Sequence, residues 1–219
     1  AAYYAMIDFI DVQVGRLLDY LEKSAQRDNT IILFHSDHGE SLGDHGMYLK
    51  GGYFYEGNVH VPLIVNWLSG FRRGAVDRAD APVELVDLAP TLLDACGLPP
   101  CKGMQGKSLY PYLSGKTEVC RPHDNVCCEY YKTDMDGEAV AFCTMLFDGR
   151  YKLTKVHKLT EKLADGFRGE LYDLVTDPAE RYNLYDDPAH AAVKLRLLEA
   201  LCDREALTAD PLPVMRAPW

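Results

Sequence analysis

The 219 residues predict an α/β domain over residues 1–116 followed by a smaller α+β subdomain over 117–219, built on an antiparallel sheet with one helix. Three observations carry that reading. An amphipathic helical pattern runs straight into a β-branched stretch, a second apolar stretch follows a polar loop, and beyond a Gly/Pro/Ser-rich segment the pattern becomes one of short strands around a hairpin signal.

Each element has its own reason. Ile7, Ile10, Val14, Leu17, Leu18 and Leu21 recur at helical spacing while Asp8, Arg16, Asp19, Glu22 and Lys23 take the other faces, which predicts a helix over residues 3–25 whose apolar stripe covers a sheet. Gln26-Arg27-Asp28-Asn29 breaks it. Thr30-Ile31-Ile32-Leu33-Phe34-His35 is continuously apolar and β-branched, the pattern of a strand buried on both faces, and residues 61–67 repeat that pattern. Asp87 is placed to cap a helix through Leu88, Ala89, Leu92, Leu93 and Cys96, with Pro90 tolerated in the first turn and Gly97 as its stop. Residues 98–116 concentrate Gly, Pro and Ser and read as the connection between lobes. Beyond them, strands are predicted over 126–131, 139–147, 150–156 and 170–174, with Asp148-Gly149 signalling a type I′ hairpin, and a closing helix over 188–203.

Composition narrows the function. Twenty-three Lys and Arg against 33 Asp and Glu give a net charge of −10, which argues against a nucleic-acid groove and requires any anionic substrate to find a local cationic site. No apolar run approaches the roughly 20 residues of a membrane-spanning helix, so a soluble chain without a membrane partner is expected. Residues 1–5 carry no initiator Met, basic leader or signal core, so the chain is expected to begin inside a larger protein. Of seven Cys, six fall between Cys96 and Cys143 without a C-x2-C step; free, mostly buried thiols are the better reading than structural zinc, and an odd count leans towards a reducing, cytoplasmic compartment.

The chemistry concentrates after the first strand. Four of the seven His (His35, His38, His45 and His60) fall within 26 residues, beside Asp37, Glu40, Asp44 and Glu56. Asp37-His38 at a strand's carboxyl end offers a hard oxygen and an imidazole to a divalent cation, although Asp37 before Gly39 equally suits a turn in which Asp bonds its own backbone. Lys50, before Gly51-Gly52, is either a point charge for an anionic ester oxygen or a surface lysine. His45 is a candidate substrate contact or a histidine satisfied by its own loop.

Residues 29–46, with Ser36-Asp37-His38-Gly39-Glu40 at their centre, then Lys50 and residues 55–64, resemble the sulfatase family of the alkaline-phosphatase superfamily. Asp87-Leu88-Ala89-Pro90-Thr91-Leu92-Leu93, Gly106-Lys107-Ser108-Leu109 and residues 170–184 resemble later landmarks of that family in the same order, so the resemblance covers essentially the whole chain. It implies part of an alkaline-phosphatase-like sandwich and hydrolysis of small-molecule or glycan sulfate esters, with a divalent metal, Ca²⁺ before Mn²⁺ or Mg²⁺, and a formylglycine nucleophile. Asp37 and His38 match a pair of metal ligands and Lys50 the sulfate-contacting lysine; His60 stands where Arg is common and reads as structural.

The nucleophile motif C/S-x-P-x-R has no match. Cys120-Arg121-Pro122-His123-Asp124 begins like it, but it ends in Asp and follows the metal loop instead of preceding it, which makes it a decoy. The chain therefore reads as the C-terminal portion of a sulfatase, inactive and weak in metal by itself, with formylglycine and the remaining acidic ligands upstream. Unpaired sheet edges and apolar helix faces would then favour self-association into a homo-oligomer. A phosphonate monoester or phosphodiester hydrolase on the same scaffold, and a non-catalytic metal-binding domain, are the competing readings. Tyr130, Tyr131, Lys132 and His157 are conceivable rim residues, with strand packing and solvated charge as the plainer account.

Overall fold

The computed structural model describes residues 2–71, 81–117, 122–133, 139–159 and 168–208. Cys120 and Arg121 of the decoy motif lie outside them. Helix α1 spans Ala2–Lys23 and a 3₁₀ turn at Arg27–Asn29 leads into β1, Ile32–His35. The short helix α2, Glu56–Val59, precedes β2, Leu63–Asn66, which pairs antiparallel with β1. Helix α3 covers Leu88–Ala95 and α4 covers Tyr110–Leu113. The second lobe is the meander β3 (Val126–Thr133), β4 (Ala139–Phe147), β5 (Tyr151–Leu159) and β6 (Gly169–Asp173), all antiparallel neighbours, closed by α5, Ala191–Thr208. Among the described residues no helix is long and apolar enough to cross a membrane.

The second lobe follows the predicted pattern closely, because its strands alternate over two distinct cores. Leu146, Leu153 and Leu171 point to one face and pack with Tyr185 and with Leu197 and Leu201 of α5, while Cys143, Met145 and Val156 point to the other and enclose Phe54 from the first lobe. The sheet is thus packed between its own helix and the first lobe. The hairpin turn differs from the expected type I′, which needs positive φ at both central residues: Gly149 is left-handed (φ 96°), but Asp148 is not. Asp148 Oδ1 accepts the N–H groups of Arg150 (2.9 Å) and Tyr151 (2.7 Å), so its side chain organises a longer turn.

The first lobe departs more. β1 is half exposed instead of buried on both faces, and α1 buries none of its residues, so its stripe does not cover a sheet here. Tyr4, Phe9 and Leu17 lie open to solvent. The physical reason is that β1 has only β2 as a hydrogen-bonded neighbour among the described residues, and two short strands offer α1 little surface to cover. Asp87 does not cap α3 with its side chain; it forms a reciprocal box with Glu84 around the preceding 3₁₀ turn, Leu85–Asp87. Gly97 stops the helix as expected, left-handed at φ 71° and donating to Asp94 O. The connecting segment is more than a linker: it holds α4, and buried Leu109 donates its N–H to Thr91 Oγ1 at 2.8 Å. The thiols are also less buried than expected. Cys143 is buried and Cys127 and Cys128 partly so, but Cys96, Cys101 and Cys202 are exposed.

Candidate active site

The loop after β1 is shaped by its own backbone. Gly39 N–H donates to Asn58 O at 2.8 Å and Glu40 N–H to Gly57 O at 3.0 Å, which lays residues 39–40 against the start of α2. Only glycine fits there, since a Cβ on residue 39 would stand 2.0 Å from Gly57 O. Buried Ser41 and Asn58 tie the same two segments, Asn58 Nδ2 donating to Ser41 Oγ at 3.0 Å. The Glu40 carboxylate then accepts the N–H of Leu42 (3.3 Å) and of Leu49 (2.5 Å), and Ser41 N–H donates to Leu49 O. Residues 41–49 therefore close on themselves and return Lys50 to His38, twelve positions earlier, where its ammonium donates to Nε2.

His38 has a defined orientation. Its Nδ1–H is given to Gly39 O at 2.9 Å, which leaves a lone pair on Nε2, 3.5 Å from Asp37 Oδ2. The His38 backbone N–H, followed by the imidazole and Lys50, holds the exposed Asp37 carboxyl below its ordinary value. Asp37, His38 and Lys50 share the wall of a cleft of about 1550 Å³ between the lobes, with Tyr130 and Lys152 contributing from the second lobe. A hard carboxylate and an imidazole whose Nδ1 is already hydrogen-bonded are the donor types for two positions on a divalent ion, provided that the Lys50 ammonium, which rests on His38 Nε2 here, moves off that nitrogen.

His45 is not among the residues lining that cleft. It adopts a left-handed backbone (φ 54°) and its ring stacks on Tyr55, with centroids 3.8 Å apart and planes 8° from parallel. Of the conceivable rim residues, Tyr130 reaches the cleft and packs on Gly52, while Tyr131 and His157 line a shallow depression on the opposite face of the sheet. Lys132 lines neither. Adjacent residues of a strand point to opposite faces, so Tyr130 and Tyr131 could not both face the cleft.

Sequence reasoning missed a layer of buried charge behind the loop. Lys152 of β5, 2% exposed, lies 2.8 Å from Glu56 Oε1 and 2.5 Å from Glu180 Oε1, and Glu180 Oε2 accepts Glu56 N–H at 2.7 Å. Burial pushes the Glu56 carboxyl up, but Lys152 and then His60, whose Nδ1 is 2.8 Å away, bring it below the ordinary range. Beside this, Tyr55 Oη donates to Glu170 Oε1 at 2.7 Å and Tyr172 Oη to the same oxygen at 3.2 Å. Burial raises Glu170 and both phenols, and Glu170 raises the phenols further. The available signal was a charged residue at an inward position of each strand, Lys152 before Leu153 and Glu170 before Leu171.

A second buried cluster, Glu84, Asp87 and His123, brings three ligand-type atoms within 4.8 Å of one another. Its lone pairs are already engaged. Asp87 accepts the N–H of Lys107 (2.7 Å) and of Glu84 (2.9 Å), His123 Nε2 lies 2.9 Å from both Asp87 oxygens, and Glu84 accepts Cys127 N–H at 2.7 Å and pairs with Arg204 at 2.5 Å. This is a hydrogen-bonded junction between the lobes, and it gives His123 of the decoy motif a structural role.

The fold is that of the later part of an alkaline-phosphatase-like scaffold. A structure of a phosphonate monoester hydrolase from Agrobacterium radiobacter superposes with a TM-score of 0.82 at 31% identity, covering 99% of this chain and 45% of that one. The family model for the C-terminal region of N-sulphoglucosamine sulphohydrolase matches residues 43–206, and an N-acetylglucosamine-6-O-sulfatase from Bacteroides thetaiotaomicron is 34% identical over 211 residues, 96% of this chain and 36% of the relative. The chain belongs to the sulfatase family. A structure described as a complex with its substrate, D-glucosamine-2-N,6-O-disulfate, aligns with a TM-score of 0.77 at 27% identity over 98% of this chain and 42% of its own. The chain spans less than half the length of these relatives, and the family model that it matches is one of a C-terminal region.

Proposed function

We propose that the protein carrying this chain hydrolyses sulfate esters of small molecules or glycans, with Asp37 and His38 holding a divalent cation, Ca²⁺ first, and Lys50 contacting the sulfate. The observation that carries this reading is the convergence of Asp37, His38 and Lys50 on one cleft wall, with the His38 tautomer set by Gly39 O. A bound cation would supply Lewis-acid stabilisation of the charge that develops on sulfate oxygens. The chain's own residues do the rest: Asp37 lends a carboxylate that stays ionised, and Lys50, leaving the His38 Nε2 on which it rests, frees that nitrogen and brings its ammonium to a non-bridging or leaving oxygen, as a point charge or proton donor. His45, stacked on Tyr55 outside the lining of the cleft, would touch only a substrate that extends beyond the cleft. The nucleophile, a formylglycine, and the remaining acidic ligands are proposed to come from chain preceding Ala1.

The experiment is turnover of an aryl sulfate by the complete protein and its variants. Lys50→Ala is expected to lower kcat by about 10²- to 10³-fold, as loss of one charge-stabilising donor does elsewhere, and Asp37→Ala to remove metal dependence. Undiminished turnover in both variants would overturn the assignment. The TM-score of 0.82 with a phosphonate monoester hydrolase favours one second reading, aryl phosphonate hydrolysis on the same site, which a direct comparison of the two substrates decides.

A further inference from the structure

We propose that Lys152, together with Glu180, is a positioning residue for the Asp37–His38 pair and acts through Glu56, so that the smaller lobe sets the geometry of the cation site in the larger one. The proposal rests on the reading of Asp37 and His38 as cation ligands.

The contacts form an unbroken series. The Lys152 ammonium, on β5, sits between the carboxylates of Glu56 and Glu180, with the Lys152 and Glu180 side chains each 2% exposed. Glu180 reaches this position from a left-handed backbone (φ 55°) that a non-glycine residue seldom adopts, and it uses its second oxygen to accept the Glu56 N–H. Both ends of Glu56 are therefore held by the second lobe, the backbone by Glu180 and the carboxylate by Lys152. Glu56 opens α2, and the next two residues supply the carbonyls that fix the metal loop: Gly57 O takes Glu40 N–H and Asn58 O takes Gly39 N–H. Gly39 O in turn fixes the His38 ring through Nδ1. Gly39 has no side chain to cushion the contact, so a shift of α2 is transmitted to His38. Removing the ammonium would leave two carboxylates facing each other with only the exposed His60, on the second oxygen of Glu56, to offset them, which displaces Glu56 first because it is the more exposed of the two.

The test is Ca²⁺ titration by calorimetry on the complete protein, at a temperature where circular dichroism shows every variant folded. Wild type is expected to bind and Asp37→Ala to lose binding; Lys152→Met and Glu56→Gln are each expected to weaken affinity about 10- to 100-fold, the range for partners that orient a ligand from behind. The double variant is expected to be no weaker than the weaker single, because both act through one link. Leu197→Ala, in the α5 core, is expected to melt lower and bind Ca²⁺ like wild type. Should Lys152→Met not fold, Glu180→Gln replaces it with the same expectation. Wild-type affinity in a Lys152→Met protein that merely melts lower, or losses that multiply in the double variant, would overturn the positioning role. Binding that survives Asp37→Ala would instead overturn the ligand assignment beneath it.

Discussion

The Tyr55 hydroxyl donates to Glu170 Oε1 at 2.7 Å across the boundary between the lobes, while the other side of its ring carries the stacked His45. One aromatic residue of the first lobe thus connects a buried carboxylate of β6 with a histidine of the loop that follows β1.

That carboxylate should shape the pH dependence of stability. Burial raises the Glu170 pKa above its unfolded value, so its contribution is fully present below about pH 4.3 and is lost as pH rises through the folded pKa. Glu170→Gln keeps an oxygen for the Tyr55 hydroxyl and removes the charge. Its melting temperature relative to wild type is expected to be higher at about pH 7.5 than at about pH 4.5, and thermal melts at both values check it. A relative melting temperature that falls between those two values would contradict a raised Glu170.

The opposite sign is expected at the other end of β6. Arg150 pairs with Asp173 through two hydrogen bonds, of 3.1 and 2.7 Å, and holds its carboxyl at about 2. Stability from this pair is present above about pH 3.9 and falls away as pH drops through the folded value. Asp173→Asn is expected to cost about 1 kcal/mol at neutral pH, discounted because Arg150 is half exposed, and the difference should shrink in urea titrations at about pH 3.

Gly39→Ala tests the backbone contact directly. The added methyl would meet Gly57 O, so residues 39–40 and α2 must separate. Loss of Ca²⁺ binding with a lowered melting temperature is expected, and calorimetry with a thermal melt reads both. Unchanged affinity would mean that the close approach does not hold the loop.

Thiol reactivity should divide the cysteines by environment. Burial pushes Cys127 up to about 12 and Cys128 up to about 11, and raises buried Cys143, while Cys96, Cys101 and Cys202 are exposed. Site-mapped alkylation at about pH 8 is expected to modify the exposed three first and the β3 and β4 thiols only on unfolding.

Much of this was legible beforehand because it is local. The meander of the second lobe, its closing helix and the Gly97 stop follow from two-residue alternation, helical spacing and one glycine. Asp37, His38, Lys50 and His45 were visible as candidate chemistry after a strand, although only the first three line the cleft, and the motif order named the family. Less was legible where one element depends on another. The β1 pattern promised burial on both faces, but burial depends on what lies against the strand. Asp87 looked like a helix cap, yet its carboxylate is engaged by Lys107, Glu84 and His123, the last 36 positions away.

By itself, then, the sequence determined most of the elements, the family they belong to and four candidate side chains, Asp37, His38, Lys50 and His45, because these depend on short-range pattern and motif. Only the tertiary structure decided that Lys152 and Glu180 grip Glu56 behind the loop that follows β1, from 96 and 124 positions away. A buried ammonium needs carboxylates around it whatever their distance along the chain, and only the packing of one lobe on the other brings them there.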